Sequence, residues 1–144
     1  MSAAGRPSLS IVIPALNEEG AIGDTLRRCL AARDHIAAQA GLGAVEVLVV
    51  SDGSSDRTEA IALGFPEVTV LTFERNRGYG AALKLGIRHA KYDWILITDA
   101  DGTYPVESIP ALLAAAERSE MVVGARLGAS VSIPLARRPA KVVA

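Results

Sequence analysis

Trp94-Ile95-Leu96-Ile97-Thr98 runs directly into Asp99-Ala100-Asp101-Gly102-Thr103-Tyr104-Pro105. The first part is a strand-length run, apolar on both faces, which is the pattern of a strand covered by helices on either side. The second part turns at once into an acidic loop closed by Gly102 and Pro105. Working outward, Leu83, Gly86, Ile87 and Ala90 upstream, and Ile109, Leu112, Leu113 and Ala116 downstream, recur at helical spacing. Further strands are expected at residues 9–13, stopped by Pro14, and at 45–50, 68–73 and 121–125. Between the first two of these, Ile22, Leu26, Cys29, Leu30 and Ile36 mark a helix over residues 19–40, ended by Gly41 and Gly43. Ser54, Ser55 and Asp56 are candidate N-caps for a short helix through Leu63. Strands alternating with helices in this order predict an α/β fold, a mostly parallel sheet flanked by helices.

The composition agrees with one compact domain. The chain has 144 residues, 50% hydrophobic and 22% charged, which excludes disorder. A net charge of −1 supplies no field for a polyanion, so no nucleic acid is expected as a partner. With 4% aromatic residues, the core must be built from Val, Ile, Leu and Ala. The single Cys29 excludes an internal disulfide framework and reads as a small buried hydrophobe. His35 and His89 are isolated on helices and read as structural. The apolar runs are far shorter than the roughly 20 residues that span a bilayer, and residues 1–8 lack the apolar stretch of a secretory signal. The expected setting is cytoplasmic.

In an open parallel sheet, ligands bind beyond the carboxyl ends of the strands where the strand order reverses. Three polar loops fall at such ends: Pro14-Ala15-Leu16-Asn17-Glu18-Glu19, Ser51-Asp52-Gly53-Ser54-Ser55-Asp56, and residues 99–105. If the first and fourth strands flank the reversal, Glu18 and the Asp99/Asp101 pair face one crevice, with Asp52 one strand away. Paired carboxylates directly after an apolar strand suit a hard cation, Mg²⁺ or Mn²⁺, which shares its remaining positions with waters and substrate phosphates. Phosphate-cradling motifs are missing: the chain has no G-x-x-x-x-G-K-[ST], and Gly78-Tyr79-Gly80 reads as a tight turn opening a helix.

These segments, with Asn76-Arg77-Gly78 leading into Ala81, Leu83 and Gly86, and with Val123-Gly124-Ala125-Arg126, resemble in order the family-2 glycosyltransferases of the GT-A, Rossmann-like fold. The resemblance is to the polyprenyl-phosphate, dolichyl-phosphate mannose synthase-like sugar transferases, and runs from Ile11 to about Lys141. It implies a metal-dependent enzyme that binds a UDP- or GDP-linked sugar and transfers the sugar with inversion to a polyprenyl phosphate. Pro14, Ala15 and Glu18 would line the base and ribose, and Asp52 would hydrogen-bond the base. Asp99 would approach the ribose or the metal, Asp101 would ligate the metal, and Arg126 would meet the phosphates or the acceptor. Asp99 and Asp101 would thus carry the catalysis.

A lipid monophosphate is ionised near neutral pH and attacks without the general base that a sugar hydroxyl requires. Arg137, Arg138 and Lys141 could draw an anionic acceptor, placing the protein peripherally at the inner face of the membrane. Against the family pattern the chain is expected to be truncated at its C-terminus. Residues 1–8 form a flexible N-terminus, 9–126 a nucleotide-sugar-binding domain, and 127–144 the start of an incomplete acceptor-side segment. The alternative is a catalytically incomplete nucleotide-sugar-binding module. Residues 95–103 also look like the first motif of haloacid dehalogenase-type phosphatases. The 41 residues after Thr103 are too few for the remaining motifs of those enzymes, and the first 98 residues would go unexplained.

Overall fold

A computed structural model describes residues 5–125. The elements run β1 (Leu9–Ala15), α1 (Ile22–Ala40), β2 (Val45–Asp52), α2 (Thr58–Leu63), β3 (Val68–Phe73), α3 (Tyr79–His89), β4 (Trp94–Ile97), a 3-10 turn (Val106–Ser108) and α4 (Ile109–Ala116). The four strands form one parallel sheet in the order β3-β2-β1-β4. The chain therefore builds outward from β1 through β2 to β3, then crosses to the other side of β1 for β4. The order reverses between β1 and β4, as the two acidic loops require.

Every residue of β1 is buried. On one face of the sheet, Leu9, Ile11 and Ile13 join Val47 and Val49 against Ile22, Leu26, Cys29 and Ile36 of α1, with Ile109 and Leu113 at its margin. Burial pushes the Cys29 thiol up to about 11, so it behaves as a hydrophobe. Gly41 ends α1 in the left-handed region at φ 65°, its N–H donating to the Ala37 carbonyl. On the other face α3 lies against β1 and β2. Its inward side is small, Ala82 and Gly86, while Ile87 is 41% exposed. A Cβ on Gly86 would stand 2.4 Å from Val12 Cγ1 and 3.2 Å from Val50 Cγ2. At the amino end of the sheet, Glu46 Oε1 accepts from Ser10 Oγ (2.6 Å) and from the Lys91 amide (2.6 Å), pinning the turn between α3 and β4.

Pro14 does not stop the first strand, which continues in register with Val50 and Ser51 to Ala15. The Leu9 amide points to the β2 side, bonding Ala44, and the Val12 carbonyl points to the β4 side, accepting from Thr98. By alternation the nitrogen of Pro14 faces the β4 side. There β4 has already ended, Ile97 being paired with Val12. The missing donor therefore breaks no ladder bond. The helix expected from residue 19 starts at Ile22, and the short helix starts at Thr58 without a side-chain cap at its Arg57 N-cap position.

The strand expected at residues 121–125 does not form. Met121 and Val123 are 81% and 74% exposed, and residues 119–124 face β4 across a cavity of about 500 Å³ instead of pairing with it. An apolar run becomes a strand only with a ladder partner, and among the described residues no pairing of 121–125 with β4 forms; Ile95 and Ile97 are exposed on the sheet face. The segments 1–4 and 127–144, and Arg126, lie outside the described residues. Among the described residues no helix is long and apolar enough to cross a membrane.

Two outcomes follow from this packing. Gly86→Ala overpacks the α3–sheet contact and should lower unfolding free energy by about 1–3 kcal/mol. Gly80→Ala on the same helix has open space around its Cβ and should be neutral or stabilising; urea melts of both variants check the contrast. Cys29 should resist iodoacetamide at pH 8 in the native protein and react fully in denaturant, read by mass spectrometry.

Candidate functional site

At the strand-order reversal lies a crevice of about 290 Å³ lined by Pro14, Ala15, Leu16, Glu18, Asp52, Tyr79, Ala82, Asp99, Ala100 and Asp101. Six of the seven residues nominated from the sequence meet there; Arg126 is outside the described residues. Tyr79, Leu16, Ala82 and Ala100 are the additions. Tyr79 was hidden because its loop follows the third strand and reads, correctly, as the turn opening α3.

The loops carrying these residues are braced against each other by side chains bonding to main chain. Asp52, only 4% exposed, accepts the Arg77 amide at Oδ1 (2.7 Å) and the Gly78 amide at Oδ2 (3.0 Å). Asp52 thus fixes the entrance to α3 as well as lining the crevice. Gly53 makes this approach possible. It sits at φ 69°, and a Cβ there would lie 2.4 Å from both Arg75 C and Asn76 N.

Asn17 adopts φ 52°, and its Oδ1 accepts the Ser55 amide (2.8 Å), while its own amide donates to Ser54 Oγ (3.1 Å). The Glu18 amide donates to Thr58 Oγ1 (2.8 Å), and the Glu19 amide to Asp56 Oδ2 (3.1 Å). Glu19 returns the bond, its Oε2 accepting the Arg57 amide (3.2 Å). The Thr58 hydroxyl and then backbone amides hold the Asp56 carboxyl below its ordinary range. The support it gives is present above the ordinary carboxylate pKa and is lost only as pH falls through the lowered value. The serines and Asp56 thus serve mainly to clamp the first loop to the second.

The acidic turn shows a different arrangement. Asp101 is exposed, and its Oδ1 accepts from the amide (2.9 Å) and hydroxyl (2.7 Å) of Thr103. Asp99 is half-buried and accepts from the Tyr79 hydroxyl at 3.4 Å. Burial, and then the Asp99 charge, push the Tyr79 phenol up, so it stays a donor. Among the described residues no group of three or more His, Cys, Asp or Glu side chains could hold a metal ion. Asp99 and Asp101 are therefore not part of an all-protein metal cage among the described residues.

A model for glycosyl transferase family 2 matches residues 10–141, and the chain belongs to that family. The chain is 36% identical over 121 residues to an undecaprenyl-phosphate 4-deoxy-4-formamido-L-arabinose transferase from Edwardsiella ictaluri, covering 81% of this chain and 36% of that protein. Among solved structures it is similar to glucosyl-3-phosphoglycerate synthase from Mycobacterium tuberculosis in complex with Mn²⁺, UDP and glucosyl-3-phosphoglycerate. That likeness has a TM-score of 0.61 and 27% identity, over 80% of this chain and 40% of that one. It is also similar to a mannosyltransferase from Pyrobaculum calidifontis in complex with GDP-mannose and Mn²⁺, with a TM-score of 0.58 and 28% identity, over 72% of this chain and 30% of that one. The sheet is thus of the GT-A type expected from the sequence, and the chain spans about a third of the length of the curated relative.

Asp52→Asn leaves one amide donor facing a backbone N–H, and should destabilise the fold by about 1.5–3 kcal/mol. Hydrogen exchange should speed up at the Arg77 and Gly78 amides ahead of the rest of α3.

Proposed function

We propose that this member of glycosyl transferase family 2 binds a nucleotide-diphosphate sugar, UDP- or GDP-linked, in the crevice between the carboxyl ends of β1 and β4. The observation that carries this is the convergence of Pro14, Ala15, Glu18, Asp52, Asp99 and Asp101 on one cavity at the strand-order reversal. Pro14, Ala15 and Glu18 line the base and ribose. Asp52 keeps lone pairs free beyond its two amide bonds and accepts from the base. Asp99 and Asp101 hold Mg²⁺ or Mn²⁺ next to the diphosphate, and Arg126 meets the phosphates. When bound, the cation supplies Lewis-acid stabilisation for the charge that develops on the departing nucleoside diphosphate.

In the whole protein the acceptor is a polyprenyl phosphate, supported by the naming of the bacterial relative. A phosphate oxygen of the lipid forms a bond to the anomeric carbon from the face opposite the leaving group. The bond from that carbon to the diphosphate oxygen breaks, and its electron pair leaves with the nucleotide, giving inversion. The described residues act on the donor half of this reaction: they orient the nucleotide and place two carboxylates at its phosphates. Residues 127–144 are assigned to the acceptor side, and the working location is the cytoplasmic face of the membrane.

Calorimetric titration of the chain with UDP and with GDP, each with and without Mn²⁺, tests the reading. One nucleotide should bind in a manganese-dependent manner. Asp101→Asn should abolish that dependence while leaving the melting temperature near that of the wild type. Unchanged nucleotide affinity in this variant removes Asp101 from the metal site. Binding of a UDP- or GDP-linked sugar without formation of nucleoside diphosphate on adding polyprenyl phosphate identifies a binding module.

A further inference from the structure

The acidic turn is held from behind by a helix that does not line the crevice. Thr25 on α1 is 5% exposed, and its hydroxyl donates to the Ala100 carbonyl at 3.0 Å, a buried bond. Ala100 is the residue between Asp99 and Asp101. One turn further along the same face of α1, Arg28 Nη1 donates to the Gly102 carbonyl at 3.3 Å. The Arg28 guanidinium also lies 3.9 Å from Glu107 Oε2, on the 3-10 turn that follows the acidic loop. Gly102 itself sits at φ 74°, where a Cβ would stand 3.5 Å from Thr25 Oγ1. At the entrance to the turn, the Thr98 amide is fixed to Val12 of β1 at 3.2 Å. The backbone on either side of Asp101 is therefore tied to one rigid 19-residue helix at two points three residues apart.

We infer that Thr25 is a positioning residue for the metal-binding turn, its hydroxyl setting the Ala100 peptide so that Asp99 and Asp101 are presented to the same cation. The inference rests on the metal–nucleotide reading above. In an extended segment Asp99 and Asp101 would share a side, but residues 100 and 101 lie in a turn, so the two acids face a single ion only if the Ala100 backbone holds a defined rotation. Asp99 has Tyr79 as a partner and Asp101 has Thr103, so each carboxylate is locally oriented. Their relation to each other depends on the Ala100 backbone between them, whose carbonyl Thr25 anchors, while Arg28 anchors the Gly102 carbonyl that follows Asp101. Mg²⁺ and Mn²⁺ sites respond to such outer partners because coordination geometry is demanding and the ligands' own bonds set their direction.

The test is a manganese titration at fixed UDP or GDP, followed by calorimetry, on the full chain and its variants, with thermal melts alongside. Thr25→Val keeps the shape and removes the donor; it should raise the manganese concentration for half-saturation by roughly tenfold. At saturating manganese its nucleotide affinity should match the wild type. Thr25→Ser keeps the donor and should restore the wild-type manganese requirement. A wild-type requirement in Thr25→Val overturns the inference, as does a Thr25→Ser variant equal to Thr25→Val, since side-chain volume would then be the cause. Nucleotide affinity that falls equally at saturating manganese also overturns it, by showing general loosening. Should Thr25→Val fail to fold, Arg28→Met, at a half-buried position, carries the same expected rise, and an unchanged requirement there overturns the inference. Wild-type protein with no manganese-dependent binding overturns the site reading and the inference together, whereas the other outcomes leave the site reading standing.

Discussion

The burial of β1 is the constraint on which everything else in this domain rests. Like β2 it has hydrogen-bonded neighbours on both sides and helices on both faces, and among the described strands it alone is buried at every residue. Apart from Ser10, whose hydroxyl donates to Glu46, the strand is apolar, and the chain builds from it in both directions. The reversal of strand order then falls at its carboxyl end. That end is the one place where two adjacent loops diverge instead of covering each other, so a crevice opens there as a consequence of topology. Even Pro14 obeys the constraint. It stands where β4 has ended, so the chain can turn toward the crevice without leaving an unpaired amide.

The crevice is shaped by side chains that bind main chain across long stretches of sequence. Asp52 holds the start of α3, Thr58 holds the Glu18 amide, Asn17 and Ser55 join the first two loops, and Thr25 and Arg28 hold the acidic turn. Each of these bonds satisfies a backbone group that a loop would otherwise leave to water. The loops are consequently fixed relative to one another before any ligand arrives, which lowers the ordering cost of binding. The opposite end of the sheet is pinned separately by Glu46, Ser10 and the amides of Lys91 and Tyr92. Stability at one end and ligand contact at the other are carried by different residues.

Much of this was legible in the sequence because it depends on local pattern. Apolar runs of strand length and helical spacing place β1 to β4 and α1, α3 and α4 to within a few residues. The polar loops at three strand ends name most of the crevice lining. The remainder was not legible, for two physical reasons. Residues 121–125 have strand composition, yet a strand forms only where the chain is brought against a neighbour in register, and here a cavity separates these residues from β4, which no local pattern records. The roles of Thr25, Asn17 and Thr58 rest on contacts 75, 38 and 40 positions away, made to backbone atoms that every residue possesses. A threonine inside an amphipathic helix looks the same whether its hydroxyl meets water or a distant carbonyl.

That choice of partner has an effect on how the site could diversify. When a side chain grips an amide or a carbonyl, only the gripping residue is chemically committed. The residue whose backbone is gripped keeps a free choice of side chain. Glu18 is held by its amide and lines the crevice with its side chain, so the group it presents there can change without releasing the loop. The fold thus separates what is braced from what is displayed. Such a scaffold can be retuned to another ligand by single substitutions on the display side, while its frame is passed on unchanged.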